Sequence, residues 1–314
     1  MKEYCFGIDI GGTTVKCGLF NVKGDILEKW EIPTRTENNG VNILPDVAAT
    51  IDAKIQEKGI ARDTIAGVGV GIPGPVNEEG AVICAVNLHW GYVELEKELE
   101  KLTGLTVKAG NDANVAALGE MWKGGGAGYH NVVMVTLGTG VGGGIIVNGK
   151  IVTGTHGAGG EIGHANIDHA EEEKCNCGNS GCLEQYTSAT GIVRVAKRTL
   201  AATEEKTVLR DFPNLSAKNV LDAYKDGDKV ATDVMNQVGD KLGGALSVFA
   251  CVTDPEAIVI GGGVSKAGQS LIDCIQKYYK KYAFSACKET PIILATLGND
   301  AGIYGSARMV IKEA

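Results

Sequence analysis

Strands that alternate with helices, a strand, Gly-Thr loop, strand unit that occurs twice, and glycines gathered in loops predict an α/β protein of two related domains. The repeat aligns Gly11 with Gly138. This sets Ile8-Asp9-Ile10-Gly11 over Val135-Thr136-Leu137-Gly138, and Leu19-Phe20-Asn21 over Ile146-Val147-Asn148. Glycine supplies 45 of the 314 residues, clustered at Gly11-Gly12, Gly124 to Gly126, Gly142 to Gly144 and Gly261 to Gly263. At such places a backbone can approach a ligand closely.

Cys5 to Ile10 and Val15 to Asn21 read as apolar strands of a hairpin, the second running into a turn at Lys23-Gly24. Ile43, Val47, Ile51 and Ile55 recur every four residues and predict a helix over Asn42 to Lys58. Ile65 to Ile72 is a short buried strand stopped by Pro73-Gly74-Pro75. Helical spacing over Val93 to Leu102 leads to a strand at Thr106 to Ala109, and Asn111-Asp112 then caps a helix from Ala113 to Trp122. After the glycines of 124–128, the second strand-loop-strand unit begins at Val132. Asn166 to Glu184 is polar, rich in cysteine and weakly periodic, which predicts an inserted loop. Helices follow over Thr190 to Ala202, Ala217 to Lys225, Ala231 to Phe249, Ser270 to Tyr282 and Ala301 to Lys312, with strands at Ala257 to Ile260 and Ile292 to Ala295.

The formal net charge of -8, with no long basic run, lacks the footprint of a nucleic-acid binder. No apolar stretch approaches the span of a transmembrane helix. Met1 to Ile10 leads straight into a strand and does not resemble a signal peptide, so a cytoplasmic chain with reduced thiols is expected. Nine cysteines, an odd and scattered set, also argue against a disulfide framework.

The loop from Asp9 to Lys16, with Gly11, Gly12, Thr13 and Thr14 between two strands, suits phosphate. Glycine amides and threonine hydroxyls can point at anionic oxygens, and the carboxylate can hold Mg2+ through its waters. A plain hairpin turn with a buried Asp is the alternative. Gly138-Thr139-Gly140 repeats the pattern, and its Gly-x-Gly-x-x-Gly string leads into a strand, whereas a dinucleotide loop opens a helix. Gly261-Gly262-Gly263 after Ile258 to Ile260 offers a third close approach, suited to adenosine.

His164, Cys175, Cys177 and Cys182 are the sharpest local signal, since three thiols within eight residues and a preceding imidazole suit tetrahedral zinc. A closed Cys3His site is structural rather than catalytic. Glu161 and Glu184 flank it and could accept hydrogen bonds from sugar hydroxyls, or stand as solvated charges. Asp112 lies where a strand meets a helix N-terminus, whose amides keep it ionised. It could accept a hydroxyl proton as that oxygen attacks a phosphoryl group, and its position alone does not separate a base from a cap.

These residues together resemble the ROK family of bacterial sugar kinases and regulators, within the actin, Hsp70 and hexokinase superfamily of ribonuclease H-like folds. The resemblance covers essentially the whole chain and rests on Asp9 to Lys16, Ile72-Pro73-Gly74-Pro75, Asn111-Asp112-Ala113-Asn114, Leu137 to Gly144, Glu161 to His164 and the run from Cys175 to Glu184. It implies an interdomain cleft, a smaller domain over 1–116 joined by a returning helix over 300–314, and a larger domain over 117–299 bearing the zinc loop. It further implies Asp112 as catalytic base, Gly74, Asn87, Asn111, Asp112, Glu161, His164 and Glu184 as sugar ligands, and one His164 nitrogen on zinc with the other toward the sugar. ATP with Mg2+ is the implied donor, and a homodimer the implied assembly. Gly181 to Gly191 looks most like the family's glucokinases, so phosphorylation of glucose at its 6-hydroxyl is expected. Kinases of N-acetylmannosamine, N-acetylglucosamine, fructose or allose share nearly all the other motifs, and a non-catalytic sugar sensor is the alternative from another class.

Overall fold

Two five-stranded sheets organise the chain in the computed structural model, which describes residues 1–311. The first holds β1 (Tyr4–Ile10), β2 (Thr14–Asn21), β3 (Ile26–Pro33), β4 (Ile65–Ile72) and β5 (Val107–Asn111) in the order β3-β2-β1-β4-β5. The second holds β6 (Val132–Leu137), β7 (Val141–Val147), β8 (Lys150–Ile151), β9 (Ala257–Gly261) and β10 (Ile292–Leu294) in the order β10-β9-β6-β7-β8. Taken from its other edge, the second order matches the first strand for strand, so the sequence repeat is a repeated sheet topology. The hairpin strands β1, β2 and β3 pair antiparallel, while β4 and β5 join parallel to β1. In the second sheet β9 pairs parallel with both β6 and β10.

Burial explains which segments became strands. β4 is apolar along its whole length and is covered on both faces, as a parallel central strand requires. β3 is not among the strands expected from sequence, where the second strand runs into the Lys23-Gly24 turn, although Ile26, Glu28, Trp30 and Ile32 alternate with exposed residues as an edge strand does. Trp30 Nε1 donates to Thr50 Oγ1 at 2.9 Å, and Lys54 pairs with Glu28 at 2.6 Å, tying that edge to the Ile43–Lys58 helix. That helix buries Val47, Ile51 and Ile55, the predicted stripe, and ends on Gly59 in the left-handed region. No helix among the described residues is long and apolar enough to cross a membrane.

The chain forms two compact units. One takes residues 1–128, 144–160 and the chain from Leu297 on, and the other takes 129–143 and 161–296. The first unit therefore runs past the 116–117 boundary expected from sequence. Its Asp112–Lys123 helix stays whole because it crosses the Ala301–Met309 helix at backbone contact. A Cβ on Gly119 would overlap the Ala301 carbonyl, and one on Gly305 the Val115 carbonyl. The Ala301–Met309 helix covers β1, where Ser306 Oγ donates to the Ile8 carbonyl at 2.8 Å. It ends at Met309, short of the predicted Lys312, and positions 312–314 of the expected 300–314 helix lie outside the described residues.

Glu120, fully buried near the end of the Asp112–Lys123 helix, explains how the glycine-rich segment is ordered. Its Oε2 accepts the Gly125 amide at 2.8 Å and its Oε1 accepts the Leu297 amide at 2.8 Å. A carboxylate supplies acceptors only, whereas an amide in its place would set an N–H against an N–H. Glu120→Gln is therefore expected to lower stability by about 2 kcal/mol or more. A thermal melt within about 1 °C of the wild type would contradict that role.

Candidate functional site

In the first unit, the turn between β1 and β2 carries the predicted phosphate loop. The Gly11 amide donates to the Thr14 carbonyl at 3.0 Å, and Thr34 Oγ1 donates to the Gly11 carbonyl at 2.7 Å, so the residue after β3 props the turn from outside. Gly12 and Thr13 are exposed at its tip, and the Thr34 amide donates to the Thr13 carbonyl at 2.9 Å, which props the turn a second time. Asp9 stands opposite Lys16 in the β1–β2 register. Burial raises the Asp9 carboxyl above its ordinary value, and the Lys16 ammonium opposes that rise. Asn87, on a short 3-10 turn over Val86–Leu88, lies against the loop tip, since a Cβ on Gly12 would come within 3.5 Å of its Cβ. A predicted sugar ligand and a predicted phosphate loop thus meet within one unit.

The helix N-terminus settles which residue is the cap. Asn111 Oδ1 accepts the amides of Ala113 at 3.0 Å and Asn114 at 3.2 Å, and Asn111 Nδ2 donates to the Gly74 carbonyl at 3.1 Å. Asp112 is the first helical residue and is exposed, with Oδ1 accepting the Ala113 amide at 2.8 Å. Asn111 is therefore the cap residue, and the Asp112 carboxylate adds a bond to the Ala113 amide that Asn111 already reaches. Gly74 holds φ of 104° and leaves no room for a Cβ beside the Cys84 carbonyl. It serves this network through its backbone.

In the second unit, the Gly138-Thr139-Gly140 loop is anchored on three sides. The Ala189 amide donates to the Gly138 carbonyl at 2.8 Å, Thr190 Oγ1 donates to the Thr139 carbonyl at 2.8 Å, and Glu184 Oε2 accepts the Val141 amide at 2.9 Å. Gly262, with φ of 83°, packs on the Leu137 carbonyl, which brings the predicted adenosine turn at Gly262-Gly263 beside this loop. Sequence order alone did not reveal the Glu184–Val141 bond, which joins the border of the cysteine loop to the glycine loop.

His164, Cys175, Cys177 and Cys182 converge, with their ligand atoms all within 4.8 Å of one another. Cys177 and Cys182 sulfurs lie 3.6 Å apart, and Cys175 Sγ lies 3.9 Å from His164 Nδ1. Tetrahedral zinc with Zn–S bonds of about 2.3 Å needs sulfurs roughly 3.8 Å apart, so the donor set fits that ion. Burial pushes the Cys182 thiol up to about 12 and raises Cys175 as well, while the Asn179 amide draws Cys177 down. A divalent cation at this cluster would hold these thiols as thiolates and offset their charge. Cys175 Sγ also lies 3.7 Å from Glu184 Oε1, and Glu161 precedes the turn that carries His164, whose amide donates to the Glu161 carbonyl at 3.2 Å.

The loop has a second source of order that the sequence reading missed. Glu171, with its side chain 6% exposed, pairs with Arg198 at 2.7 Å and Arg194 at 2.6 Å, and accepts the Tyr186 hydroxyl at 2.7 Å. Arg198 is the main cause that holds the Glu171 carboxyl far below the usual range. Lys241 pairs with Asp168 at 2.9 Å, fastening the same loop to the Lys229–Thr253 helix. Arginines one helical turn apart were the available signal, but their partner lies in the loop, beyond the reach of helical spacing.

Comparison with known proteins agrees with the family resemblance. The sequence matches the ROK family over residues 5–313. It is 41% identical over 312 residues to a glucokinase of Halalkalibacterium halodurans, covering 98% of this chain and 94% of that protein. The ROK family glucokinase from Streptomyces griseus, solved in complex with glucose and AMPPNP, is similar with a TM-score of 0.74 and 33% identity, over 98% of each chain. A xylose repressor of Caldicellulosiruptor bescii is 27% identical, over 98% of this chain and 78% of the repressor. The expected α/β fold class and the family resemblance therefore hold together, and the chain belongs to the ROK family.

Proposed function

We propose that this protein is an ATP-dependent glucokinase, transferring the terminal phosphoryl group of ATP to the 6-hydroxyl of glucose with Asp112 as general base. The observation that carries the reading is the exposed Asp112 carboxylate at a helix N-terminus whose cap is supplied by Asn111. The helix amides favour its ionised form. The glucose 6-hydroxyl gives its proton to a carboxylate oxygen of Asp112 as its oxygen forms the new bond to the terminal phosphorus. The bond from that phosphorus to the bridging oxygen breaks, and ADP leaves with the bond's electron pair.

Asn87, Asn111, Glu161, His164 and Glu184, with the Gly74 backbone, bind the sugar hydroxyls in this reading. The amides and hydroxyls of Gly11 to Thr14 and Gly138 to Gly140 take the phosphates with Lys16, and Gly262-Gly263 lies on adenosine. Mg2+, when bound with ATP, neutralises phosphate charge, and Asp9 is the residue to hold it through water. Zinc on His164 Nδ1 and the three thiols would fix the imidazole ring and leave Nε2 for the sugar. A cytoplasmic setting is part of this reading, since thiols that hold a metal stay reduced there. A homodimer follows from the family resemblance, and light scattering after gel filtration tests it.

A coupled ADP-release assay over glucose, mannose, fructose, allose and the N-acetylhexosamines tests the function. Glucose should give the highest kcat/KM. A preference for an N-acetylhexosamine would reassign the substrate. Sugar binding without ADP release would favour a sensor, the reading raised by the repressor relative.

A further inference from the structure

Asn114 has no role in the reading above, yet it is only 3% exposed in the first unit, among the buried Val115, Ala117 and Leu118. Its Nδ2 donates to the Gly159 carbonyl at 2.9 Å, 45 residues along the chain. Its Oδ1 is buried with no hydrogen-bond partner. A residue kept only for packing would be an apolar one, because a buried acceptor without a donor destabilises the fold. The amide is therefore retained for the bond that it makes.

That bond has a defined position. Asn114 lies in the first turn of the helix that begins with Asp112, and Gly159 lies two residues before Glu161. The Gly159 amide donates to the Thr153 carbonyl at 2.8 Å, so Gly159 is held on one side by its own loop and on the other by the helix. Gly157 of the same segment packs on Pro75 and Val76, next to Gly74, whose carbonyl takes the matching bond from Asn111. Two asparagines one turn apart thus bind two loop carbonyls, and each loop leads to a proposed sugar ligand.

We propose that Asn114 is a positioning residue for the sugar: by holding the Gly159 carbonyl to the first turn of the Asp112 helix, it sets how the chain enters Glu161. The inference rests on the glucokinase reading. Glu161 accepts from the sugar hydroxyls in that reading, so a loosened entry to it weakens bonds made in the ground state and should appear in the KM for glucose.

Asn114→Ser, too short to reach, and Asn114→Asp, which sets an oxygen against the Gly159 carbonyl, are the tests. Both should raise the KM for glucose by about tenfold or more, with the KM for ATP within about twofold. Hydrogen exchange in the full protein should quicken selectively over 153–163. A lowered melting temperature with glucose KM unchanged would show a purely structural role and overturn the proposal. So would failure of both variants to fold, which would place Asn114 in the core of the unit. If the wild type itself releases no ADP with glucose, the glucokinase reading fails instead, and the two failures are distinct.

Discussion

Replacing Asp112 by Asn is expected to lower kcat for glucose phosphorylation by about a hundredfold or more, with the fold and glucose binding intact. The substitution keeps the shape and removes the basic oxygen. It should spare the helix, because Asn111 makes the capping bonds to Ala113 and Asn114. General-base help is worth about two to four orders of magnitude, whereas loss of a hydroxyl contact alone mainly raises KM. A near-normal kcat in a folded Asp112→Asn protein would move the base elsewhere, with Glu161 next in line. Glu161→Gln, by contrast, is expected to act through glucose KM.

Loss of the cysteine cluster should have the next largest effect. Protein purified without chelator is expected to carry one zinc per chain, and Cys177→Ser to bind it weakly and to raise glucose KM by roughly tenfold or more. His164 belongs to the cluster and Glu184 touches it through Cys175, so two proposed sugar ligands depend on it directly. The effect on ATP should be smaller. Glu184 does hold the Val141 amide, but the Gly138-Thr139 loop keeps its bonds from Ala189 and Thr190 when the cluster loosens. The ion pairs of Glu171 with Arg194 and Arg198 should likewise keep the outer part of the loop in place. Equal losses for both substrates, or a metal content far below one equivalent, would refute the assignment.

Much of this was legible locally. The strand Ile65–Ile72 and the helix Ala217–Lys225 have the bounds that their apolar spacing predicts. The segment from Asn166 has no regular element before Glu184, as its polar composition indicates, though its sides meet at the Asn166–Cys182 and Lys174–Ser180 bridges. Cys175, Cys177 and Cys182 lie close enough along the chain that only His164 had to be brought from outside the run. The bounds of the compact units were less legible, since the Asp112–Lys123 helix belongs with a helix some 180 residues later, and only their glycines hint at that contact.

The sequence by itself determined the α/β class, the duplicated strand-loop-strand unit, the membership in a kinase-like family and the set of polar residues able to do chemistry. The class, the repeat and the metal loop are written in spacing, because a strand or helix buries side chains at a fixed local period and a short metal loop gathers its own ligands, whereas the family is carried by the resemblance of the motifs taken together. Tertiary structure alone decided which groups those residues meet. It gave the cap to Asn111 and left Asp112 exposed, set Asn87 against Gly12, turned Glu184 onto the Val141 amide and set Asn114 beneath Gly159. Hydrogen bonds between distant segments depend on where two backbones come to rest after the sheets and helices have packed, and no local period encodes that distance.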